Sequence, residues 1–173
     1  LLKERAETGR IYIMNLDHCN SHSSFKDKVS MSNLCQEITL PTTPIQDIHD
    51  DQGEIALCIL SAVNVGQLND LSELENICDL SVRALEQIID YQDYPVKAAE
   101  VSTKTRRSLG IGYIGLAHYL AKNGVKYSDP KAWELVDRLS EAFQYHLLRA
   151  SCDLAEEKGK CAGFERTKYA DGL

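Results

Sequence analysis

The chain has 173 residues, 43% of them hydrophobic, with 19 basic and 26 acidic side chains and a formal net charge of −7. That is enough apolar material for one domain with a real core. It is too acidic for the basic footprint that nonspecific DNA or RNA binding needs, and its longest apolar run, residues 55–65, is far too short to span a bilayer, so no nucleic-acid and no membrane partner is expected.

Leu1, Leu2, Ala6 and then Gly9 read as the end of a helix, so the chain is expected to be cut from something longer. Residues 10–16, with Ile11, Tyr12, Ile13 and Met14, predict a strand. Residues 17–30 are polar and irregular, and residues 32–40 are extended, closed by Pro41 and Pro44. After an acidic turn at 47–53 comes IALCILSAVNV, apolar on both faces as a buried parallel strand is. Asp70 and Glu73 form a plausible capping box for a helix carrying Leu74, Ile77, Val82, Leu85 and Ile88 or Ile89, which stops near Asp90. A short helix is predicted over 97–104, a strand over 108–112 and a helix over 114–122, ended by Gly124. Ser128 or Asp129 before Pro130 starts the longest helix, which stops at Gly159 and carries the stripe Trp133, Val136, Leu139, Phe143, Leu147 and Leu154. Strands alternating with helices give an α/β architecture with parallel strands, and no linker divides residues 1–173.

The six cysteines occupy positions 19, 35, 58, 78, 152 and 161. With no signal peptide, free thiols in a reducing, cytoplasmic setting are the better reading than a disulfide scaffold. Cys78 and Cys152 read as packing residues within helices, and Cys161 has no evident role. His18, Cys19, His22 and Cys35 match no closed zinc site, and no CxxC occurs, so no metal is expected. His118 and His146 read as surface or boundary residues, and Arg106 and Arg107 as a solvated pair. The GxGxxG at 110–115 follows KTRRS rather than a buried strand and lacks the acidic residue that a dinucleotide site needs; its glycines read as aids to close strand–helix packing.

Within NLCQE at 33–37, alternation along an extended segment would put Asn33, Cys35 and Glu37 on one face. An amide, a thiol and a carboxylate are an odd set to bury for packing. Around a polyhydroxylated substrate they are useful: the amide binds a hydroxyl and the carboxylate takes a proton from one. The thiol is a nucleophile, a metal ligand or a hydrogen-atom donor. Cys58, inside the predicted buried strand, also suits plain packing.

The segments SNLCQEI at 32–38 and GEIALC at 53–58, 23 positions apart cysteine to cysteine, resemble those of the ribonucleotide reductase large subunit. So do GRIYI at 9–13, DHCN at 17–20, DYQDYP at 90–95, RRSLGIG at 106–112 and YSD at 127–129, in that order. The resemblance implies an incomplete piece of a ten-stranded α/β barrel whose central loop carries Cys35 as a transient thiyl radical. Glu37 would be the base at the ribose 3′ hydroxyl, Ser32 and Asn33 would help hold the substrate, and Cys58 would be one of two thiols that end as a disulfide, its partner lying on a strand outside this chain. It implies radical reduction of ribonucleoside diphosphates for DNA synthesis, as a class I-like enzyme. No cofactor would be bound here: a small metal-containing subunit supplies the radical and a thioredoxin- or glutaredoxin-type dithiol the electrons, with a second large subunit completing a homodimer. Alone, the chain should be inactive and should leave strand edges unpaired. The alternative is a noncatalytic split or remnant piece that only complements other chains.

Overall fold

Residues 1–172, which the computed structural model describes, form α1 (Leu2–Thr8), α2 (Leu16–His22), β1 (Ile59–Asn64), α3 (Glu73–Tyr91), α4 (Lys97–Arg106), β2 (Leu109–Ile114), α5 (Leu116–Lys122) and α6 (Pro130–Lys158). β1 and β2 pair in parallel, Ile59 beside Leu109 through Asn64 beside Ile114. The α/β expectation therefore holds as a two-stranded parallel sheet, not a closed barrel, and the outer edge of each strand has no partner among the described residues.

The two faces of the sheet differ. On one, Val63, Ile111 and Tyr113 pack with Leu74 and Cys78 of α3 and Leu139 and Phe143 of α6. Further along, Leu109 and Ile111 meet Val82, Ala150 and Leu154. The opposite face carries Leu60 and Ile114, 58% and 56% exposed. α3 buries Leu74, Cys78, Val82, Leu85 and Ile89, one residue per turn, which is the amphipathic spacing expected for a helix against a sheet. α6 starts at Pro130 and ends before Gly159, as the sequence predicts. Leu139 is fully buried between α3 and the sheet. Leu139→Ala is therefore expected to cost about 2–5 kcal/mol. Equilibrium urea unfolding of the chain checks it, and a midpoint like that of the unmutated chain would contradict this packing.

Several expectations need correction. Residues 10–15 form no strand, because an extended segment needs a neighbour for its N–H and C=O groups and none lies alongside among the described residues. Tyr12 and Ile13 stay exposed there. The stretch expected to be irregular begins instead with α2, from which the Asn20 amide pairs with both backbone groups of Val29 at 2.8 Å. Residues 55–58 precede β1 rather than belong to it; Ile55 N donates to the Ala98 carbonyl (3.1 Å). The capping box does not close between Asp70 and Glu73: Asp70 accepts from Ser72 N at 2.8 Å, and Glu73 reaches back to the Asn69 amide at 3.2 Å. Trp133 is 75% exposed, and its neighbour Ala132 is the residue that packs against Leu120 and Val125. Cys78 is a packing residue, its thiol pushed up by burial to about 11, but Cys152 is exposed.

Arg106 and Arg107 are not solvated. Arg107 ends α4 in a left-handed conformation and pairs with Glu86 (2.7 Å) and Asp90 (2.7 Å) of α3. The Asp90 carboxyl lies below the usual carboxylate range because the guanidinium donates to it. Arg106 is buried in the ionic cluster described below. The GxGxxG stretch holds no phosphate-type loop, since Gly110 and Gly112 lie inside β2 and Gly115 leads directly into α5.

Candidate active site

Ser32, Asn33, Cys35 and Glu37 lie together, but in a turn and not along a strand. Gln36 N donates to the Asn33 carbonyl (3.1 Å), and Gln36 sits at φ 63, the left-handed region that residues with a Cβ rarely adopt. Such a conformation costs roughly 1–3 kcal/mol and persists where surrounding bonds hold it. Here Ile38 N donates to Asn33 Oδ1 (3.0 Å), and the Ser32 hydroxyl donates to the Ile38 carbonyl (2.6 Å). The two bonds cross the base of the turn and lift Cys35 to its exposed tip, with Glu37 also exposed. A turn, and not strand alternation, thus brings the four side chains together. Nothing in SNLCQEI announces a left-handed residue at Gln36, which has neither the small side chain of glycine nor the local hydrogen bond of asparagine.

Cys58 lies one residue before β1, half-buried, on the sheet face away from α3 and α6. A Cβ on Gly110 would stand 2.8 Å from Cys58 Sγ and would also strike the end of the Leu60 side chain, so any larger residue there requires one of them to shift. Burial pushes the Cys58 thiol above its ordinary range, and the nearby Glu37 carboxylate adds to the push by repelling the thiolate. That repulsion brings the turn and the strand entrance into one electrostatic neighbourhood. Since the thiolate is the species that alkylates, Glu37→Gln is expected to move the Cys58 alkylation profile to lower pH. The shift is partial, because burial, the larger cause, remains. Mass spectrometry of the alkylated Cys58 peptide across pH reads it; an unmoved profile would separate Glu37 from Cys58.

A four-member ionic cluster that the sequence does not reveal joins Asp27, Glu54, Arg106 and Arg166. Glu54 Oε2 accepts from Arg106 Nη2 (2.6 Å) and Nε (3.2 Å), and Glu54 Oε1 accepts from Arg166 Nη1 (2.9 Å). Asp27 Oδ2 lies 2.9 Å from Arg106 Nη2 and 2.7 Å from Arg166 Nε, off the line of their N–H bonds, so those contacts are ionic. Glu54 and Arg106 are only 6% and 7% exposed. The signal available in the sequence was that Glu54 and Arg106 fall within the segments GEIALC and RRSLGIG; nothing in it said that these segments touch. Among the described residues, no group of three or more His, Cys, Asp or Glu side chains is placed to hold a metal.

The sequence model described as "Ribonucleotide reductase, barrel domain" matches residues 1–173. The chain belongs to this family. Among its relatives, the ribonucleoside-diphosphate reductase subunit alpha of Haemophilus influenzae is 58% identical over the whole chain. That of Buchnera aphidicola subsp. Schizaphis graminum is 57% identical over 98% of it, and the ribonucleoside-diphosphate reductase 1 subunit alpha of Escherichia coli is 53% identical over all of it. The chain spans less than a quarter of the length of these relatives, 22–23%. The open sheet edges and the exposed Leu60 and Ile114 are what a segment of a larger ribonucleotide reductase barrel would present.

Proposed function

We propose that this chain is one incomplete segment of the catalytic barrel of a ribonucleoside-diphosphate reductase alpha subunit, and that its turn and strand entrance form part of the active site. The reading is carried by the turn that Ser32 and Asn33 hold, with Cys35 at its exposed tip and Glu37 beside it, and by the Glu37 carboxylate adding to the upward push that burial gives the Cys58 thiol. In the complete ten-stranded barrel the sheet face bearing Cys58 points inward and the Cys35 turn is the tip of the central loop.

Cys35, as a thiyl radical, takes the 3′ hydrogen of the ribose. Glu37 takes the 3′ hydroxyl proton, and the 2′ hydroxyl leaves as water. Cys58 and a second thiol outside this chain supply two electrons and two protons, one proton leaving in the water and one ending on C2′, and become a disulfide, after which Cys35 returns its hydrogen to C3′. An external dithiol of the thioredoxin or glutaredoxin class restores the pair. Asn33 spends Oδ1 on the turn and makes no hydrogen bond through Nδ2 among the described residues, which leaves that donor for a ribose hydroxyl. Ser32 spends its proton on Ile38 and keeps acceptor capacity. The radical comes from a small metal-containing partner subunit, and the alpha subunit works as a cytoplasmic homodimer. None of the chain's helices, among the described residues, is long and apolar enough to cross a membrane.

The test is a segment exchange. A complete alpha subunit carrying these residues in place of its own is assayed for dithiol-dependent reduction of a ribonucleoside diphosphate. Turnover supports the reading. A folded, assembled exchange protein with no turnover would make the chain a noncatalytic barrel piece.

A further inference from the structure

We infer that Arg106 is a positioning residue, which through Glu54 and Asp27 fixes the spacing between the Cys35 turn and Cys58. The inference rests on the function proposed above and adds a residue that never touches the reacting atoms.

The geometry places the cluster at the base of both thiol-bearing segments. Asp27 stands eight positions before Cys35, and Val29, fully buried, is clamped by the Asn20 amide on the way to the turn. On the far side of the turn, Thr43 and Glu54 exchange backbone hydrogen bonds of 3.1 and 3.0 Å. Glu54 then stands four positions before Cys58. The chain therefore enters the Cys35 loop beside one carboxylate of the cluster and leaves it beside the other. Arg106 Nη2 touches both carboxylates, at 2.9 and 2.6 Å. Arg166 closes the ring from the other end of the chain, where Lys26 N donates to the Arg166 carbonyl (2.9 Å) and Lys168 N to the Ser24 carbonyl (2.7 Å).

Stability alone is a poor reason for this arrangement. Buried ion pairs are commonly matched or bettered by apolar residues of similar volume, and their best-attested use is to fix register. Arg106 Nη1 is moreover buried with no hydrogen-bond partner among the described residues, a cost that a purely stabilising contact would not carry. A guanidinium suits the task because its planar fork donates through Nε and Nη2 together to Glu54 while its charge still reaches Asp27, which a lysine ammonium does not reproduce.

The test uses the complete alpha subunit with its small subunit. Arg106→Met is expected to lower kcat by about tenfold or more, the scale at which small misplacements act. KM should stay within about twofold, because substrate contacts are untouched. The Cys58 alkylation rate should change while that of exposed Cys152 does not. Arg106→Lys should recover part of the loss. Arg166→Met removes a half-exposed partner and leaves the Glu54–Arg106 pair, so it tests the same cluster with less risk to folding; it should give the same pattern, smaller. Arg149→Met, which breaks an exposed pair on α6, should leave kcat unchanged. A folded Arg106→Met protein with unmutated kcat and Cys58 alkylation overturns the inference. If Arg106→Met does not fold, the same result for Arg166→Met overturns it. An unmutated subunit that reduces no ribonucleotide would sink the proposed function instead, and the alkylation rates would still decide whether the cluster positions Cys58.

Discussion

Cys35→Ser, in the complete subunit with its radical-generating partner, is expected to abolish substrate consumption altogether. The reason lies in bond strength rather than in acidity. A thiol S–H bond is close in strength to the C–H bond of the sugar, so hydrogen can pass from carbon to sulfur and back. A hydroxyl holds its hydrogen much more tightly, so a serine cannot be converted to the radical the first step needs. Each increment of about 1.4 kcal/mol slows a step about tenfold, and several such increments take turnover below detection. Serine is also nearly isosteric with cysteine, and Cys35 sits exposed at the tip of its turn, so the substitution should leave the Asn33 and Ser32 bonds and the fold intact. Substrate loss by chromatography and an unchanged circular dichroism spectrum together make the measurement. Normal turnover by Cys35→Ser would remove the thiyl step from this chain.

Long periodic elements were legible because their signals are local. Pro130 and Gly159 bound α6, and one apolar residue per turn marks the buried face of α3. Signals that depend on a neighbour were not. Residues 10–15 have strand-forming side chains, yet a strand is a relation between two segments, and no second one lies beside them among the described residues. Trp133 fits the helical period of α6, but which side of that helix faces Leu120 and Val125 is set by the tertiary fold, and there Ala132 is the buried residue. Arg106 and Arg107 look solvated in sequence because their carboxylate partners, Glu54 and Glu86, stand 52 and 21 positions away.

The site divides along the same line. Asn33, Cys35 and Glu37 stand out in the sequence as an unusual set of functional groups at close spacing, although the extended segment expected for them is a turn. The turn that presents them depends on Gln36 in a left-handed conformation, held by Ser32 and Asn33, and no residue preference announces it. Cys58 could not be told from a packing thiol by its own surroundings in sequence. What supports the proposed role is tertiary: its sulfur lies against Gly110 and within reach of the Glu37 charge.

Cys58→Ser should behave differently from Cys35→Ser, and the difference is the sharper test of the two-thiol scheme. In the proposed scheme Cys35 takes the hydrogen at C3′ before Cys58 acts, so abstraction and loss of the 2′ hydroxyl as water should still occur. The next step needs two electrons from a thiol pair. A serine hydroxyl cannot supply them, because oxygen forms no counterpart of the disulfide under these conditions. Substrate should therefore disappear while the deoxyribonucleotide yield falls by about tenfold or more, the missing material leaving as aberrant sugar products. Chromatography of the whole reaction, with substrate and deoxyribonucleotide quantified together, distinguishes the cases. Undiminished yield would reduce Cys58 to a packing residue beside Gly110. No substrate loss would mean that the serine disturbs the step before it. The space beside Gly110 argues against that second outcome, since a hydroxyl is smaller than the thiol already accommodated there.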